Sequence, residues 1–371
     1  MKVVFRVDAS QKIGSGHVMR CLALAEMLRS LGGSIDFIMR DYIGNLNEHV
    51  KRQGFNTYLL LDQNITIEQK NLNKYEQCTG FVQEIDAEKT IHILAFKKID
   101  WLIIDHYEID KVWENKLRLH SKKIMVIDDM ANRHHNCDIL LDQTFGRKEL
   151  DYKGLVPDYC NLLLGSENSL LHSSFKKLRQ KALQRRKNYN NTNSILISIG
   201  SMDEKNITSR VLKALSSIIW KNNTVVNVVL TSSAPYLQAV IDSLFKYKYP
   251  VNVLIDVTNM AELMLESDLA IGAGGTTSWE RCCLALPTVL IILAENQRNV
   301  GERLAQVGAT ITIQENDKLE NNIKQAVTDI MQDKILYMDM SNKAAEVSNG
   351  DGVKRVAEKI ISLSIGSKNG I

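Results

Sequence analysis

The sequence lacks the patterns that are typical of membrane proteins and of nucleic-acid-binding proteins. Its 46 basic and 43 acidic residues leave a net charge of only +3, so we expect neither nucleic acid nor an acidic membrane as a partner. The longest apolar run, residues 284–294, contains a proline and is too short to span a bilayer. The N-terminus begins with a strand-like run and lacks the layout of a signal peptide.

Metal-binding motifs are missing as well. The six cysteines form no C-x-x-C pair, so no zinc or redox motif is visible. No two aspartates are separated by a single residue, so the D-x-D motif of metal-dependent diphosphate sites is absent. His134 and His135 are the only close histidine pair, and adjacent residues chelate poorly. We therefore expect a reduced, cytoplasmic protein that works without a cofactor or a metal.

What the chain does contain is a regular alternation of short apolar runs and helical patterns. Its 371 residues are too many for one ordinary core and suit two domains. Because the apolar runs would be buried on both faces, they predict parallel sheets covered by helices. The predicted strands are residues 3–7, 35–39, 57–61, 102–104, 124–127, 139–141, 195–199, 225–230, 251–255, 269–271, 288–293 and 310–313.

The two halves of the chain open in the same way, with a strand, a Gly-containing loop and a helix. Between them lies a basic and then Asn-rich stretch, which we interpret as a solvated helix and linker rather than a nucleic-acid patch. We predict an α/β protein with two Rossmann-like domains whose parallel sheets face a cleft. The expected segments are an N-terminal domain (1–174), a basic helix and linker (175–193), and a C-terminal domain with closing helices (194–371).

The first candidate site is the sequence Gly14-Ser15-Gly16-His17 after the opening strand. A dinucleotide fingerprint would need a glycine where Met19 stands, so only a generic anion-binding turn remains. His17 would stand at the start of a helix, where the helix dipole favours the neutral imidazole that a general base needs. The alternative is a histidine that merely caps the helix.

The second candidate site is a Gly-rich turn in the C-terminal half, followed by a helix. Small residues and hydroxyls at such a turn suit a diphosphate, and the carboxylate of Glu280 could accept hydrogen bonds from a ribose. Other polar residues follow predicted strands, and each of them could instead stabilise a turn or cap a helix. The candidates are Gly274, Gly275, Thr276, Thr277 and Glu280 in the turn and helix, and Tyr107, Gly200, Asp203, Asn206, Asn296 and Gln297 elsewhere.

Several motifs together resemble a known enzyme family. They are FRVDAS..IGSGHVMRCLALA, LIIDHY, VIDDMANRHHNCDILLDQT, YKGLVPDYCNLLLG, SIGSMDEKN, TNMAELMLESDLAIGAGGTTSWERCCLALP and LAENQ. In order and spacing they are similar to the UDP-2,4-diacetamido-2,4,6-trideoxy-β-L-altropyranose hydrolases of pseudaminic acid biosynthesis, which make precursors of flagellin or surface glycans. The similarity runs from residue 2 to about residue 308.

The resemblance implies a GT-B glycosyltransferase-like fold in an enzyme that transfers the sugar to water. Because metal motifs are absent, we expect a metal-independent hydrolase in which water attacks the anomeric carbon with inversion. The resemblance implies that His17 is the base. We place Tyr107 at the catalytic site as well, because it directly follows a predicted buried strand and its side chain could reach the cleft. The resemblance also implies that the second domain binds UDP, with Glu280 at the ribose, Thr276 and Thr277 at the diphosphate, and the Met260 backbone near uracil. The expected partner is a small-molecule UDP-sugar, and the sequence is compatible with a monomer.

Three positions depart from the family pattern. Ser201 stands where the family has a second glycine, Thr144 where it has asparagine, and His172 where it has arginine. The first departure could narrow the phosphate loop, and the other two bear on sugar specificity. Two other functions stay open: a GT-B transferase that uses a hydroxyl acceptor, and a UDP-sugar sensor without catalysis.

Overall fold

The computed structural model describes residues 1–10, 13–61, 82–95, 97–200, 202–220 and 224–366. The chain folds as two compact units, Met1–Leu170 together with Val353–Ile371, and Leu171–Gly352. This division differs from the expected one in two ways. The basic helix belongs to the second unit, and the last helix belongs to the first unit instead of closing the second.

The first unit contains a seven-stranded sheet whose strand pairs are all parallel. The strands lie in the order β3-β2-β1-β4-β5-β6-β7. Six of these strands, β3-β2-β1-β4-β5-β6, follow the strand order of the Rossmann fold. The order runs backwards along the chain as far as β1 and forwards from β4, and we call the place between β1 and β4 the reversal point. The strands are β1 (Lys2–Val7), β2 (Ser34–Arg40), β3 (Asn56–Leu60), β4 (Ile99–Asp105), β5 (Ser121–Ile127), β6 (Ile139–Asp142) and β7 (Asn161–Leu164).

Successive residues of the central strands point into two different cores, as the strand period of two requires. Phe5 and Trp101 pack in one core, and Val4 and Leu102 pack in the other. The described helices of this unit are α1 (Gly16–Ser30), α2 (Asn47–Arg52), α3 (Gln83–Leu94), α4 (Lys111–Leu117) and, from the end of the chain, α13 (Gly352–Gly366). The apolar side of α13 joins the core that holds Phe5.

Helix α1 forms as its sequence predicts. Its buried face carries Cys21, Leu24 and Leu28 at helical spacing. The helix ends at Ser30, and Gly32 follows with a φ of 85°, a conformation that only glycine adopts without strain.

The second unit repeats the same arrangement with six strands. They lie in the order β10-β9-β8-β11-β12-β13, again with parallel pairs. The strands are β8 (Ser194–Ser198), β9 (Val225–Leu230), β10 (Val251–Ile255), β11 (Leu269–Ala273), β12 (Thr288–Ile292) and β13 (Thr310–Gln314). Its described helices are α5 (Ser173–Lys187), α6 (Ile207–Leu215), α7 (Leu237–Ser243), α8 (Met260–Glu266), α9 (Thr277–Cys283), α10 (Glu295–Gln306), α11 (Leu319–Gln332) and α12 (Lys334–Val347).

All twelve predicted strands are present, with ends that differ by at most three residues. Strand β7 was not predicted, because it is short and lies at the sheet edge after a loop rich in turn residues. Within the described part of the chain, no helix is both long and apolar enough to cross a membrane. The five cysteines in that part are free thiols, and Cys78 lies outside it.

Candidate active site

The first unit gathers polar side chains where its strand order reverses. Strands β1 and β4 are neighbours there, with Val7 opposite Asp105. The chain leaves β1 at Asp8 and returns as α1 at Gly16. In open α/β sheets this edge, at the carboxyl ends of the strands, is where ligands bind. The turn includes Gly14, whose φ is 81° and whose N–H donates to the carbonyl of Ser10 at 2.8 Å.

His17 is the second residue of α1 and its ring binds a carboxylate. Its Nδ1 lies 2.6 Å from Oδ1 of Asp105, and its side chain keeps 12% of its surface exposed. A carboxylate accepts hydrogen bonds and donates none, so Nδ1 carries a proton and Nε2 is left as the basic nitrogen of the neutral ring. The ring is thus held by Asp105 rather than serving as a backbone cap.

Arg20 holds the other side of the same carboxylate. Its Nε and Nη2 donate to the two oxygens of Asp105 at 2.6 and 2.7 Å. Burial alone would raise the pKa of Asp105, but the charge of Arg20 and the hydrogen bonds from Arg20 and His17 outweigh it and keep that pKa well below its usual range. Asp105 therefore stays ionised and fixes the orientation of the His17 ring.

Tyr107 stands beside His17 and is held by a second aspartate. The two rings meet edge to face with centroids 4.8 Å apart. The Tyr107 hydroxyl donates to Oδ1 of Asp129 at 2.9 Å, while Arg20 contacts the other oxygen at 3.3 Å. Burial, followed by the charge of Asp129, raises the pKa of Tyr107, so its hydroxyl stays protonated.

His17 and Tyr107 were predicted from the sequence, whereas Asp105, Arg20 and Asp129 were not. Two signals could have found them. Asp105 ends a buried strand immediately before His106-Tyr107, and Arg20 lies one helical turn after His17, on the same face of α1. Their mutual approach depends on the pairing of β1 with β4, which no local pattern reveals.

A small cavity lies beside these residues. It leaves about 10 Å³ for the centres of water molecules, which is room for one. Its wall is formed by Asp8, Ile13, His17, Asp105, His106, Tyr107 and Glu108.

Beneath the cavity lies a network of buried charges. Arg6 donates to both oxygens of Asp8 and to Asp86, and Arg40 also donates to Asp86. His106 contacts Asp8 at 3.1 Å. Because the charges are paired, this network can be buried at a tolerable cost and makes the floor of the cavity rigid.

In the second unit the corresponding position is occupied by glycines and hydroxyls. Strands β8 and β11 are neighbours at the reversal point, and β11 runs directly into the turn Gly274-Gly275-Thr276. A side chain at Gly275 would meet nothing within 4 Å, so the space above the turn is open. The hydroxyls of Thr276 and Thr277 make no hydrogen bond to any residue that the structure describes.

Glu280 lies in the first turn of α9, after this open space. The residue is half-buried, and its carboxylate has no hydrogen-bond or ion-pair partner among the described residues. Burial raises its pKa to about 7, and the charge of Arg281 opposes that rise only in part. A carboxylate held without partners is a costly feature that a ligand's hydroxyl groups would relieve.

Three of the remaining candidates lie around α6 and α8. Both oxygens of Asp203 accept from the backbone N–H groups of Ile207 and Thr208 at 2.8 Å, so this side chain caps α6. Asn206 has a φ of 52° and a buried Oδ1 without a partner among the described residues. Met260 is the first residue of α8. Gly200 follows β8 with a φ of 130° and open space beside it.

The structure brings Gln297 next to the Gly-rich turn. Its Cβ lies 3.2 Å from where a Cβ on Gly274 would stand, and its Oε1 accepts from the N–H of Leu293. The side chain of Asn296 and the whole of Ser201 lie outside the described residues.

Two departures from the family pattern can be located in the structure. Thr144 is buried after β6, with its N–H donating to Asp142. His172 is the N-cap of α5 and accepts from the N–H of Ser174. Neither residue lines the cavity beside His17. Among the described residues, no three His, Cys, Asp or Glu side chains are grouped so that they could hold a metal ion.

Comparison with known proteins matches both halves of the chain. Residues 194–358 match the model of the glycosyltransferase family 28 C-terminal domain. Over 309 residues the chain is 28% identical to the UDP-2,4-diacetamido-2,4,6-trideoxy-β-L-altropyranose hydrolase of Campylobacter jejuni, covering 83% of this chain and 97% of that protein. These findings confirm the resemblance that the motifs indicated.

Solved structures confirm the fold. Acinetobacter baumannii MurG superposes with a TM-score of 0.69 at 16% identity, over 97% of this chain and 99% of that one. The UDP-GlcNAc 2-epimerase of Neisseria meningitidis superposes with a TM-score of 0.61 at 13% identity, over 98% and 100% of the two chains. The protein thus has the predicted GT-B-like α/β fold with two Rossmann-like units.

Proposed function

We propose that the protein hydrolyses a UDP-linked 2,4-diacetamido-2,4,6-trideoxy sugar to the free sugar and UDP, as a step in pseudaminic acid biosynthesis. The observation that carries the proposal is the contact between His17 and Asp105 beside a small cavity with room for one water. The hydrolase from Campylobacter jejuni supports the choice of sugar.

In this mechanism Nε2 of His17 takes a proton from water as the water oxygen bonds to the anomeric carbon. The bond from that carbon to the phosphate oxygen breaks, and UDP leaves with the electron pair. Attack from the face opposite the leaving group inverts the anomeric configuration. Asp105 stabilises the imidazolium that forms, because its negative charge lies 2.6 Å from Nδ1.

Tyr107 and Arg20 orient the reacting groups. The Tyr107 hydroxyl is committed to Asp129, so its lone pairs stay available to a hydrogen of the water. Arg20 donates to both Asp105 and Asp129, so a shift of either aspartate would also change the position of the His17 ring. The proposed roles are base for His17, water-orienting residue for Tyr107, and positioning residues for Asp105, Arg20 and Asp129.

The second unit supplies the UDP site in this proposal. The open turn Gly274-Gly275 would take the diphosphate, and Thr276 and Thr277 would donate their hydroxyls to it. Glu280 would accept from the ribose hydroxyls. Met260, Gly200, Asn206, Asn296 and Gln297 stay in the proposed site, whereas Asp203 acts through its cap on α6. We also propose a metal-independent reaction by a monomer in the cytoplasm, which the free thiols support.

A second candidate is a GT-B transferase that passes the sugar to a hydroxyl acceptor. The match of residues 194–358 to a glycosyltransferase domain favours it. It would use the same UDP site and the same base, which would then deprotonate the acceptor hydroxyl instead of water. The hydrolase of Campylobacter jejuni, which matches 83% of this chain, supports hydrolysis over this alternative.

The test is to incubate the protein with the UDP-diacetamido sugar in ¹⁸O-water without any acceptor. We expect equal amounts of free sugar and UDP, with ¹⁸O in the anomeric hydroxyl and the inverted anomer appearing first by NMR. UDP-GlcNAc, which lacks the 4-acetamido group, serves as the matched control. Label in UDP would contradict attack at carbon, release only with an acceptor would identify a transferase, and binding without turnover would identify a sensor.

A further inference from the structure

One charged side chain in the second unit is buried and incompletely paired. Arg281 on α9 is 2% exposed. Its Nη2 donates to the carbonyl of Ala273 at 2.7 Å and contacts Oγ of Ser278 at 3.2 Å. Its Nε and Nη1 are buried without a hydrogen-bond partner in the described part of the chain. Two unmet donors on a buried cation are costly unless something else offsets the charge.

No carboxylate supplies that offset. Among the described residues none forms an ion pair with Arg281, although Glu280 is its neighbour in sequence. The pKa of Arg281 is lowered to about 10 by burial, and that of Glu280 is raised to about 7 by burial. The two opposite charges therefore offset the cost of burial only in part, and the guanidinium has no ion-pair partner among the described residues.

Two other arginines of the described chain, the half-buried Arg179 and the buried Arg6, are better satisfied. Arg179, in the same unit, donates to the carbonyls of Cys283, Ser348 and Ala345 and so links helix ends. Arg6, in the first unit, is neutralised by two aspartates. Arg281 differs from both, because only its Nη2 donates hydrogen bonds to described residues and no carboxylate among them pairs with its charge.

The guanidinium lies directly beneath the strand that leads into the Gly-rich turn. A Cβ on Gly272 would stand 2.3 Å from Nη1 of Arg281, so only glycine permits this approach. The next carbonyl, that of Ala273, accepts from Nη2, and the open turn begins at the following residue. The charge and the open space are therefore on adjacent parts of one backbone segment.

We propose that Arg281 is the positive charge that attracts the diphosphate of a nucleoside diphosphate to the Gly-rich turn, acting through the turn backbone without touching the ligand. The inference rests on the proposed function for the presence of a UDP-sugar. Arg281 is a positioning residue that lowers the energy of the negative charge above it, and at a low effective dielectric this field reaches across the turn. No metal is needed for that role.

The test compares UDP with uridine, which keeps the base and ribose but has no diphosphate. Dissociation constants of both ligands are measured by calorimetry in EDTA for the parent, Arg281→Met and Arg281→Lys. We expect Arg281→Met to weaken UDP binding by about 10- to 100-fold while uridine binding changes by less than about threefold. Arg281→Lys keeps the charge and should preserve the ratio of the two constants. Glu280→Gln is the matched control, because it should weaken both ligands together.

The outcomes separate this inference from the proposed function. Equal losses for UDP and uridine in Arg281→Met, or no loss, would overturn the inference and leave the UDP site intact. If Arg281→Met does not fold, Arg281→Lys is the deciding variant. A folded Arg281→Lys protein that loses its preference for UDP over uridine would overturn the role of the charge, because lysine keeps that charge. A parent protein that binds neither ligand would overturn the proposed function, and the inference with it.

Discussion

The two units have the same strand order but fill their reversal points with opposite kinds of residues. In the first unit the point between β1 and β4 holds buried charged side chains, among them Asp8, Asp105 and Arg20. In the second unit the point between β8 and β11 leads into Gly274 and Gly275, with open space above. The same topology therefore carries two chemically different sites.

The difference has a physical reason. Paired buried charges hold a reactive ring in one orientation, because moving any member leaves another unpaired at high cost. Glycines instead let a ligand approach the backbone, where N–H groups are available. The comparison teaches that the fold decides where chemistry can occur, and that local residues decide which chemistry it is.

The largest expected effect is at the reversal point of the first unit, where the buried charged side chains lie. Asp105→Asn should lower kcat by about 10²- to 10⁴-fold, because the amide no longer fixes the tautomer of His17 or stabilises its imidazolium. UDP affinity should be unchanged. Steady-state kinetics and calorimetry measure the two quantities.

Asp100→Asn is the matched control for that variant. Asp100 lies at the other end of the same strand, where it accepts from the Lys2 N–H and from Lys122. Its loss should leave kcat within about twofold, as for an ordinary surface substitution. An Asp105→Asn protein that melts near the parent temperature and keeps its turnover would refute the role of Asp105.

The next largest effect is expected at the Gly-rich turn of the second unit. Glu280→Gln should weaken uridine binding by about 10- to 100-fold, since it removes a charged acceptor from the ribose. The pKa of Glu280 is raised to about 7, and only the ionised form offers both oxygens as charged hydrogen-bond acceptors. Uridine affinity of the parent should therefore fall as the pH drops through 7, and the Gln variant should show a flat profile over pH 5–8. A sloping profile in the variant would assign the titration to another group.

A smaller effect separates two glycines of the same segment. Gly272→Ala should destabilise the protein by about 1–3 kcal/mol, since its Cβ would stand 2.3 Å from Arg281 and 2.7 Å from the Ser198 carbonyl. Gly275→Ala meets nothing within 4 Å and should change stability by less than about 0.5 kcal/mol. It should nevertheless weaken UDP binding, because its methyl group enters the space above the turn. Denaturant unfolding that ranks the two variants in the opposite order would contradict this view of the turn.

Much of this arrangement was predictable from the sequence. Apolar runs such as residues 225–230 have one stable solution when helices flank them, so the strands and the doubly wound fold could be predicted. The sequence Gly14-Ser15-Gly16-His17 and the Gly-rich turn marked the two reversal points, since glycines before a helix are a local signal.

The parts that escaped prediction depend on contacts between residues far apart in sequence. Asp105 reaches His17 across 88 residues, and Arg6 reaches Asp86 across 80. The return of α13 to the first unit depends on its packing against the core that holds Phe5. A period of 3.6 residues indicates that a helix is amphipathic but not which core will receive it.

The last expected result is that the removal of metal ions has no effect on turnover. Turnover should be the same in EDTA as in magnesium or manganese, because in this account Arg281 and the turn backbone offset the diphosphate charge. Steady-state rates in each buffer measure this. A rate lost in EDTA and restored by either metal would show that a cation performs that task.

The central claim is that the first unit performs the chemistry and the second binds the nucleotide. Its most direct test is His17→Asn, with kcat for the UDP-diacetamido sugar and the dissociation constant for UDP measured on the same folded protein. The account predicts a fall in kcat of about 10²- to 10⁴-fold and an unchanged UDP affinity. A variant that turns over at nearly the parent rate, or one that loses UDP binding in proportion to its turnover, would contradict it.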